Sequence, residues 1–330
     1  MPEVEIPINE VKIENFKSIK SLKLECKRVN VFIGEPNTGK SNIIEAIVGI
    51  PSLFYYNPVR FNDNDPNKFI RFKDLSNLFY DNNIEEEIRI TFENFTIIID
   101  FKDGSYRCRV EPNLLSSVAF PPSYSYEYEF DRIAKHFKFY RFRPVKLDRR
   151  ESEFLLPPDG RNLFAVYLTH KSLKSICKDI FAKFGLKIMI EPSSNDLKIV
   201  KESEDLLIMY PYETISDTIQ RLIFYLSIIL TNKNSIIAME EPEAHTFPYY
   251  TKYLAELIAL DDSNQYFITT HNPYFLLTLI EKTDKRDLAV YITHYEDYQT
   301  KAKKLSEKKL EELLDLGSSA FFNLDILMEE

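Results

Sequence analysis

Residues 28–41, RVNVFIGEPNTGKS, constrain this chain more than any other stretch. Val29, Val31 and Ile33 alternate as a buried strand requires, and Phe32 makes the run apolar on its second face. The strand ends at Gly34, and GEPNTGKS fits G-x-x-x-x-G-K-[ST]. A loop of this kind points backbone N–H groups inward as an anion nest, with the N-terminus of the next helix behind it. Helical sequence follows in SNIIEAIVG, so the motif has the strand–loop–helix setting that phosphate binding needs. Gly34, Asn37, Thr38, Gly39, Lys40, Ser41 and Asn42 are the candidate nucleotide-binding positions. Lys40 is expected at the terminal phosphates, and the Ser41 hydroxyl on magnesium. Only 7 glycines occur in 330 residues and two of them fall in this loop, which argues against chance.

The rest of the composition sets outer bounds. A chain of 330 residues with 44% hydrophobic content can bury one large core or two modest ones. A net charge of -9 disfavours a generic polyanion binder but permits a local basic patch. Cys26, Cys108 and Cys177 are scattered without a C-x-x-C, which suits a reducing compartment and gives neither a zinc site nor a disulfide framework. The opening MPEVEIPINE is acidic and lacks the apolar core of a signal peptide. The most apolar stretch, residues 222–230, falls far short of the ~20 residues that span a bilayer. A soluble cytoplasmic protein without membrane contact is the expectation.

In chain order, VKIENFKSIKSLKLE predicts two short strands around a turn. Residues 51–205 read as an insert. Within it, residues 57–83 are rich in Asn, Asp and Pro, with a helical piece at DLSNLFY. EEIRITFE, FTIIIDF and YRCRV predict a three-strand meander, with Asp103-Gly104 at a tight turn. Residues 112–126 predict a loop, KHFKFYRFRPV a strand, and residues 163–184 a helix that ends at Gly185. Strands are expected at LKIMIE, LKIVKE and DLLIMYP. No heptad pattern supports a coiled-coil arm.

Three pieces after residue 210 carry further chemistry. In TISDTIQRLIFYLSIIL, Ser216 and Asp217 can cap a helix whose apolar face runs through Ile219, Leu222, Ile223, Leu226 and Ile229. A helix N-terminus with a free serine is also a phosphate site, although a plain cap accounts for the pattern. In NSIIAMEEPEAHTFP, residues 235–239 form a buried strand that delivers Glu240 and Glu241 to its carboxyl end. Adjacent carboxylates there repel and lose hydration unless a cation or a reaction uses them. Beside a phosphate loop, Glu240 suits hydrated magnesium and Glu241 suits orienting an attacking water. In NQYFITTHNPYFLLTL, a strand over residues 266–270 ends at His271, and Pro273 opens a helix. A histidine at that end of a sheet strand faces the crevice where nucleotides bind.

The stretch IENFKSIKSL before the loop, and the order phosphate loop, SD helix, EEPE strand and TH strand, resemble ABC-type ATPases of the SMC/RecF/OLD class. The likeness is to the small arm-less ATPases with EEPE at Walker B. It implies an α/β P-loop NTPase fold, with a mixed sheet flanked by helices and an inserted β-rich and helical lobe. The nucleotide-binding core would come from residues 1–50 and 206–330, with the lobe from 51–205. The resemblance places Lys17 beside the nucleotide, makes His271 a γ-phosphate sensor and brings Ser216 to the partner subunit's ATP. It sets the turn from Pro242 to His245 at the seam of a homodimer that sandwiches two ATP molecules with Mg2+. It also implies a role in DNA maintenance or mobile-element defence.

Two departures bear on turnover. The signature reads SDT, where a glycine usually follows the serine. Every glutamine lies at Gln220 or later, so an Asn or Asp of the insert is expected in place of the Q-loop glutamine. These departures keep open a slow or non-hydrolysing nucleotide sensor that regulates a partner toxin or nuclease. A membrane-transporter ATPase is disfavoured by the absent LSGGQ and Q-loop. After Tyr291 come the basic run KAKKLSEKK and a helix, LEELLDL, that stops at Gly317. That tail is short against a domain of about 50–200 residues, so no nuclease activity is expected.

A basic stretch within residues 132–150 carries Lys135, Lys138, Arg141, Arg143, Lys146, Arg149 and Arg150 among aromatics. As a strand over 138–146 it would set Lys138, Tyr140, Phe142 and Pro144 on one face, and Phe139, Arg141 and Arg143 on the other. Such a strip could follow a DNA backbone. A solvated face that pairs with the acidic EYEFD nearby accounts for it at least as well.

Overall fold

The computed structural model describes residues 8–56, 65–112, 114–122, 129–191, 196–203, 206–322, 324 and 328. In chain order the strands are β1 (Glu10–Phe16), β2 (Ile19–Glu25), β3 (Val29–Gly34), β4 (Ile88–Phe92), β5 (Thr96–Lys102), β6 (Ser105–Glu111), β7 (Leu115–Ala119) and β8 (Phe137–Tyr140). They continue with β9 (Leu186–Glu191), β10 (Asp196–Ser203), β11 (Leu206–Pro211), β12 (Ile236–Glu240), β13 (Gln265–Thr269), β14 (Leu288–Glu296) and β15 (Gln299–Lys304).

The core sheet has the order β15-β14-β3-β13-β12-β8. Its pairs from β14 to β8 are parallel, and β15 closes the other edge antiparallel to β14. β3 is buried along its whole length, as a central parallel strand covered on both faces must be. Its residues divide between two cores. Val29, Val31 and Ile33 join one with the helices Asp217–Thr231, Pro248–Leu260 and Pro273–Lys282. Phe32 joins the other, with Ile43, Ile44 and Ile47 of the helical segment that follows the loop. The mixed α/β architecture with sheets flanked by helices is therefore the one the resemblance implies.

The second large sheet is antiparallel, in the order β2-β1-β4-β5-β6-β7. The meander continues the opening hairpin, with Val11 opposite Phe92 and Ile13 opposite Ile90. These four side chains share one buried core, so their burial drives the pairing across the intervening chain. β8 also lies beyond residue 51 and pairs with β12. Both sheets therefore cross the boundary expected there. The third sheet, β11-β10-β9, is antiparallel. The Asp103-Gly104 turn has positive φ at both residues (51° and 73°), as a tight two-residue hairpin requires.

Local expectations fail in four places. β7 forms inside the stretch expected as a loop, of which residues 113 and 123–126 lie outside the described residues. The helical piece at DLSNLFY is two 3-10 turns, Leu75–Leu78 and Tyr80–Asn82, the second with Asp81 at φ 51°. The long helix divides at His170 into Leu163–Thr169 and Lys171–Ala182. β8 stops at Tyr140, so of the strand expected over residues 138–146 only residues 138–140 form. Residues 57–64 of the Asn/Asp/Pro-rich stretch lie outside the described residues. Among the described residues, no helix is long and apolar enough to cross a membrane.

Candidate nucleotide site

The loop between β3 and the next helix is held by close backbone approach. Gly34 and Gly39 both have positive φ, 143° and 90°. A Cβ on Gly34 would sit 2.3 Å from the Thr293 carbonyl oxygen, and one on Gly39 would sit 2.0 Å from Thr300 Oγ1. Only glycine lets the loop lie this near β14 and β15. Thr38 Oγ1 reaches the Glu35 carbonyl at 2.8 Å and Thr293 Oγ1 at 2.7 Å. The Asn42 side chain donates to Ser18 Oγ at 2.7 Å, and Ser18 meets Thr300 at the same distance. The turn of the opening hairpin thus braces the loop from below.

Because β3, β13 and β12 run parallel side by side, their carboxyl ends deliver the motifs to one edge. A cavity of about 1360 Å³ opens there, lined by residues 34–42 with Lys17, Glu240, Glu241 and His271. Ser41 Oγ donates to Glu240 Oε1 at 2.5 Å. Lys40 Nζ donates to the carbonyls of Gly34 (2.9 Å) and Glu35 (2.6 Å). Burial lowers its pKa to about 8, against the pull of Glu241 and Glu35. Glu241 takes φ 44°, a left-handed backbone uncommon outside glycine, which turns the chain sharply after β12. Its carboxylate lies 3.7 Å from His271 Nε2. Burial and the Lys40 charge hold His271 below its ordinary pKa against the opposing Glu241, which favours a neutral ring.

Behind the loop lies a charge network that the sequence reading missed. Glu45 is fully buried and meets Lys17, Arg71 (2.9 Å) and Arg141 (2.9 Å). Both arginines continue to Glu240, Arg141 Nε at 2.7 Å and Arg71 Nη2 at 3.1 Å. Burial would raise the Glu240 pKa, but Arg141, Arg71 and the Ser41 hydroxyl together hold it below the ordinary value. Lys17 lies lower than usual because burial outweighs the attraction of Glu45. Glu45 falls in a π-helical stretch, Glu45–Gly49, inserted between the helical turns Lys40–Ile44 and Ile50–Tyr56. One charge inside the apolar run IIEAIV was the available signal for it. Arg71 gave no signal of its own.

Arg141 and Lys138 correct the expected DNA strip. Arg141 is internal and bound to Glu45 and Glu240. Lys138 is buried, donates to Asn232 Oδ1 at 2.7 Å and lies 3.4 Å over the Phe154 ring, and burial lowers its pKa to about 7. Arg143 reaches the Asn67 carbonyl at 3.3 Å, and Arg150 pairs with Asp148 at 2.8 Å. Lys135, Lys146 and Arg149 are exposed. With β8 ending at Tyr140, these charges do not share a strand face. Part of EYEFD lies outside the described residues.

Asn77, Asp81 and Asn82 of the insert line the cavity, yet the residue at the carboxyl end of β8, beside Glu240, is Arg141. Ser216 occupies the N-cap position of the helix Asp217–Thr231, but its side chain does not cap it as expected. Asp217 pairs instead with Arg221 at 2.6 Å. Ser216 is exposed and does not line its own chain's cavity. Thr218 Oγ1 donates to the His245 carbonyl at 2.6 Å, which ties the start of this helix to the turn after β12. Among the described residues, no cluster of three His, Cys, Asp or Glu side chains could hold a metal alone.

Parallel strands that end in a phosphate loop, an acidic pair and a histidine along one sheet edge are the arrangement of a P-loop ATPase. The sequence matches the AAA ATPase domain family over residues 7–227, well over half of the chain, and the protein belongs to that family. Among solved structures, the SMC head bound to the C-winged helix domain of ScpA aligns with a TM-score of 0.57 at 15% identity, over 92% of this chain and 99% of that one. At that identity the likeness speaks for the fold alone. The SMC head domain from Thermotoga maritima aligns at 13% identity with a TM-score of 0.46, over 91% of this chain and 99% of that one. No curated protein matches the sequence significantly.

Proposed function

We propose that this chain binds ATP with magnesium in the cavity and hydrolyses it, slowly, within a head-to-head homodimer that sandwiches two ATP molecules. The observation that carries this reading is the Ser41–Glu240 hydrogen bond of 2.5 Å, with Lys40, Glu241 and His271 around it.

The N–H groups from Asn37 to Ser41 cradle the phosphates, and Lys40 exchanges two loop carbonyls for phosphate oxygens. The Ser41 hydroxyl and the Glu240 carboxylate are hard oxygen donors, and so small a set suits magnesium, which keeps several waters and shares substrate phosphates. When bound, the ion neutralises charge on the phosphates. Glu241 orients the attacking water, and neutral His271 contacts the γ-phosphate. Lys17 adds a cation on the hairpin side. Ser216, exposed at a helix N-terminus, acts on the ATP of the second copy.

The proposed setting is DNA maintenance or defence against mobile elements, with a protein partner. A DNA-facing Lys138–Arg141 strip is not part of it. Phosphate release by the purified chain, with and without DNA, tests hydrolysis, and ATP-dependent dimerisation by light scattering tests the sandwich. A silent wild-type chain with no dimer would end this reading.

One observation favours a second reading, a nucleotide sensor that governs a partner without fast turnover. Glu240 is already engaged by Arg71, Arg141 and Ser41, and a metal must compete with them. ATP-dependent partner binding with negligible turnover selects this reading.

A further inference from the structure

Glu243 lies beyond the catalytic pair, two residues after Glu241, and is 5% exposed. Its Oε1 accepts the Thr270 hydroxyl at 2.5 Å and the His271 backbone N–H at 3.3 Å. Its Oε2 is buried without a partner among the described residues. The contact chain continues outward. Asn272 N–H donates to Thr270 Oγ1 at 3.0 Å, and the Asn272 side chain caps the helix Pro273–Lys282 by accepting from Phe275 N–H at 3.1 Å. At its other end, Glu243 sits in the turn that Glu241 opens, where Glu241 N–H donates to the Thr269 carbonyl at 3.0 Å. His271 is thus approached twice from one turn, its ring by Glu241 at 3.7 Å and its backbone by Glu243.

We propose that Glu243 is a positioning residue that couples the turn after β12 to the end of β13 and so fixes the spacing between Glu241 and His271. This inference rests on the ATPase reading above. A buried carboxyl is costly unless its oxygens are used. Here one oxygen is used on the backbone of the very residue whose ring faces Glu241. Burial first, with the Glu241 charge adding, pushes the Glu243 carboxyl up to about 7 against the Thr270 and His271 bonds. That direction favours a protonated Oε2, which a glutamine amide reproduces in shape and polarity. Without this tie, the backbone bond from Glu241 to Thr269 still joins the two strand ends, but the side chains meet only through a 3.7 Å approach between partly exposed groups. Misplacement on the ångström scale in such a pair costs on the order of 10²-fold in rate.

The test compares Glu243→Ala, Glu243→Gln and Thr270→Val with wild type. Readouts are kcat, ATP affinity by calorimetry, and the His271 ring resonance in nucleotide-free protein labelled with 13C-histidine, of which the chain has 5. The expected result for Glu243→Ala is a fall of roughly 10- to 100-fold in kcat with ATP affinity kept, and a displaced His271 resonance. Glu243→Gln should recover most of the rate and the wild-type resonance. Thr270→Val, which removes one donor and keeps the side-chain volume, should move the same readouts in the same direction if the alanine variant does not fold. An unmoved resonance with a wild-type rate in both Glu243→Ala and Thr270→Val overturns the proposal, as does a glutamine variant no better than alanine. Should wild type lack turnover, the ATPase reading fails, and the resonance still decides whether Glu243 positions His271.

Discussion

The Ser41 hydroxyl meets the Glu240 carboxylate at 2.5 Å although 199 residues separate them in sequence. Two parallel pairings, β3 on β13 and β13 on β12, bring the end of the phosphate loop to the end of the acidic strand. In the proposed mechanism a divalent ion and the triphosphate share oxygens at this contact.

Lys40→Ala should abolish ATP binding. Its ammonium is the point charge expected on the terminal phosphates, and a neutral methyl leaves the N–H nest and a Lys17 already paired with Glu45. Titration calorimetry with Mg-ATP should show no heat. Unchanged affinity would remove the loop from the binding site.

The charge network behind the loop predicts a stability effect distinct from binding. Arg141→Ala deprives the fully buried Glu45 and the mostly buried Glu240 of a shared partner. Breaking a buried pair on one side costs roughly 3–5 kcal/mol. Arg71 is half exposed and remains as a second partner, so the lower end is expected. Urea denaturation should show a clear fall in midpoint. A shift within error would mean that Glu45 is satisfied without Arg141.

Much of this arrangement was legible in residue order, and its gaps have a common cause. The stretch of residues 28–41, the strand before Glu240 and the strand before His271 each announce themselves locally, through apolar runs that end in glycine or charge. Arg141 did not. Alternation along residues 138–146 says which side chains share a face, but not which face is inside, nor that the strand stops at Tyr140. Glu45, Arg71 and Arg141 meet only after β8 joins β12, a pairing across about a hundred residues that no local pattern encodes. The joining of the meander to the hairpin escaped for the same reason. The break at His170 carries no glycine or proline to mark it.

The Glu243 carboxyl gives a pH signature. Its folded value is raised from the ordinary 4.5 to about 7, with Glu241 and the Tyr225 hydroxyl among the groups it interacts with. Between those values the unfolded chain has released the proton and the folded chain keeps it, so stability falls as pH rises through this window. Below the lower value the effect is absent. Glu243→Gln removes this loss, so the variant should gain on wild type as pH rises, by on the order of a few kcal/mol once above the window. Denaturation midpoints of both proteins at about pH 5 and about pH 8 decide it. Parallel profiles would contradict a raised Glu243.

The proposed dimer is tested by complementation. Ser216→Arg and Glu241→Gln chains should each be inactive. In a mixed dimer, one site pairs the intact Glu241 of the first chain with the intact Ser216 of the second, and that site should recover part of the activity. Mixtures that stay inactive while heterodimers form would rule out action in trans.

In the proposed mechanism Glu241 drives hydrolysis at a site that binds ATP without it. Phosphate release and Mg-ATP affinity, measured side by side for wild type and Glu241→Gln, test this most directly. The expected result is matched affinity, with turnover lower by on the order of 10²-fold or more in the variant. Equal turnover in the two proteins, or loss of turnover only in Glu240→Gln with ATP binding intact, would contradict it.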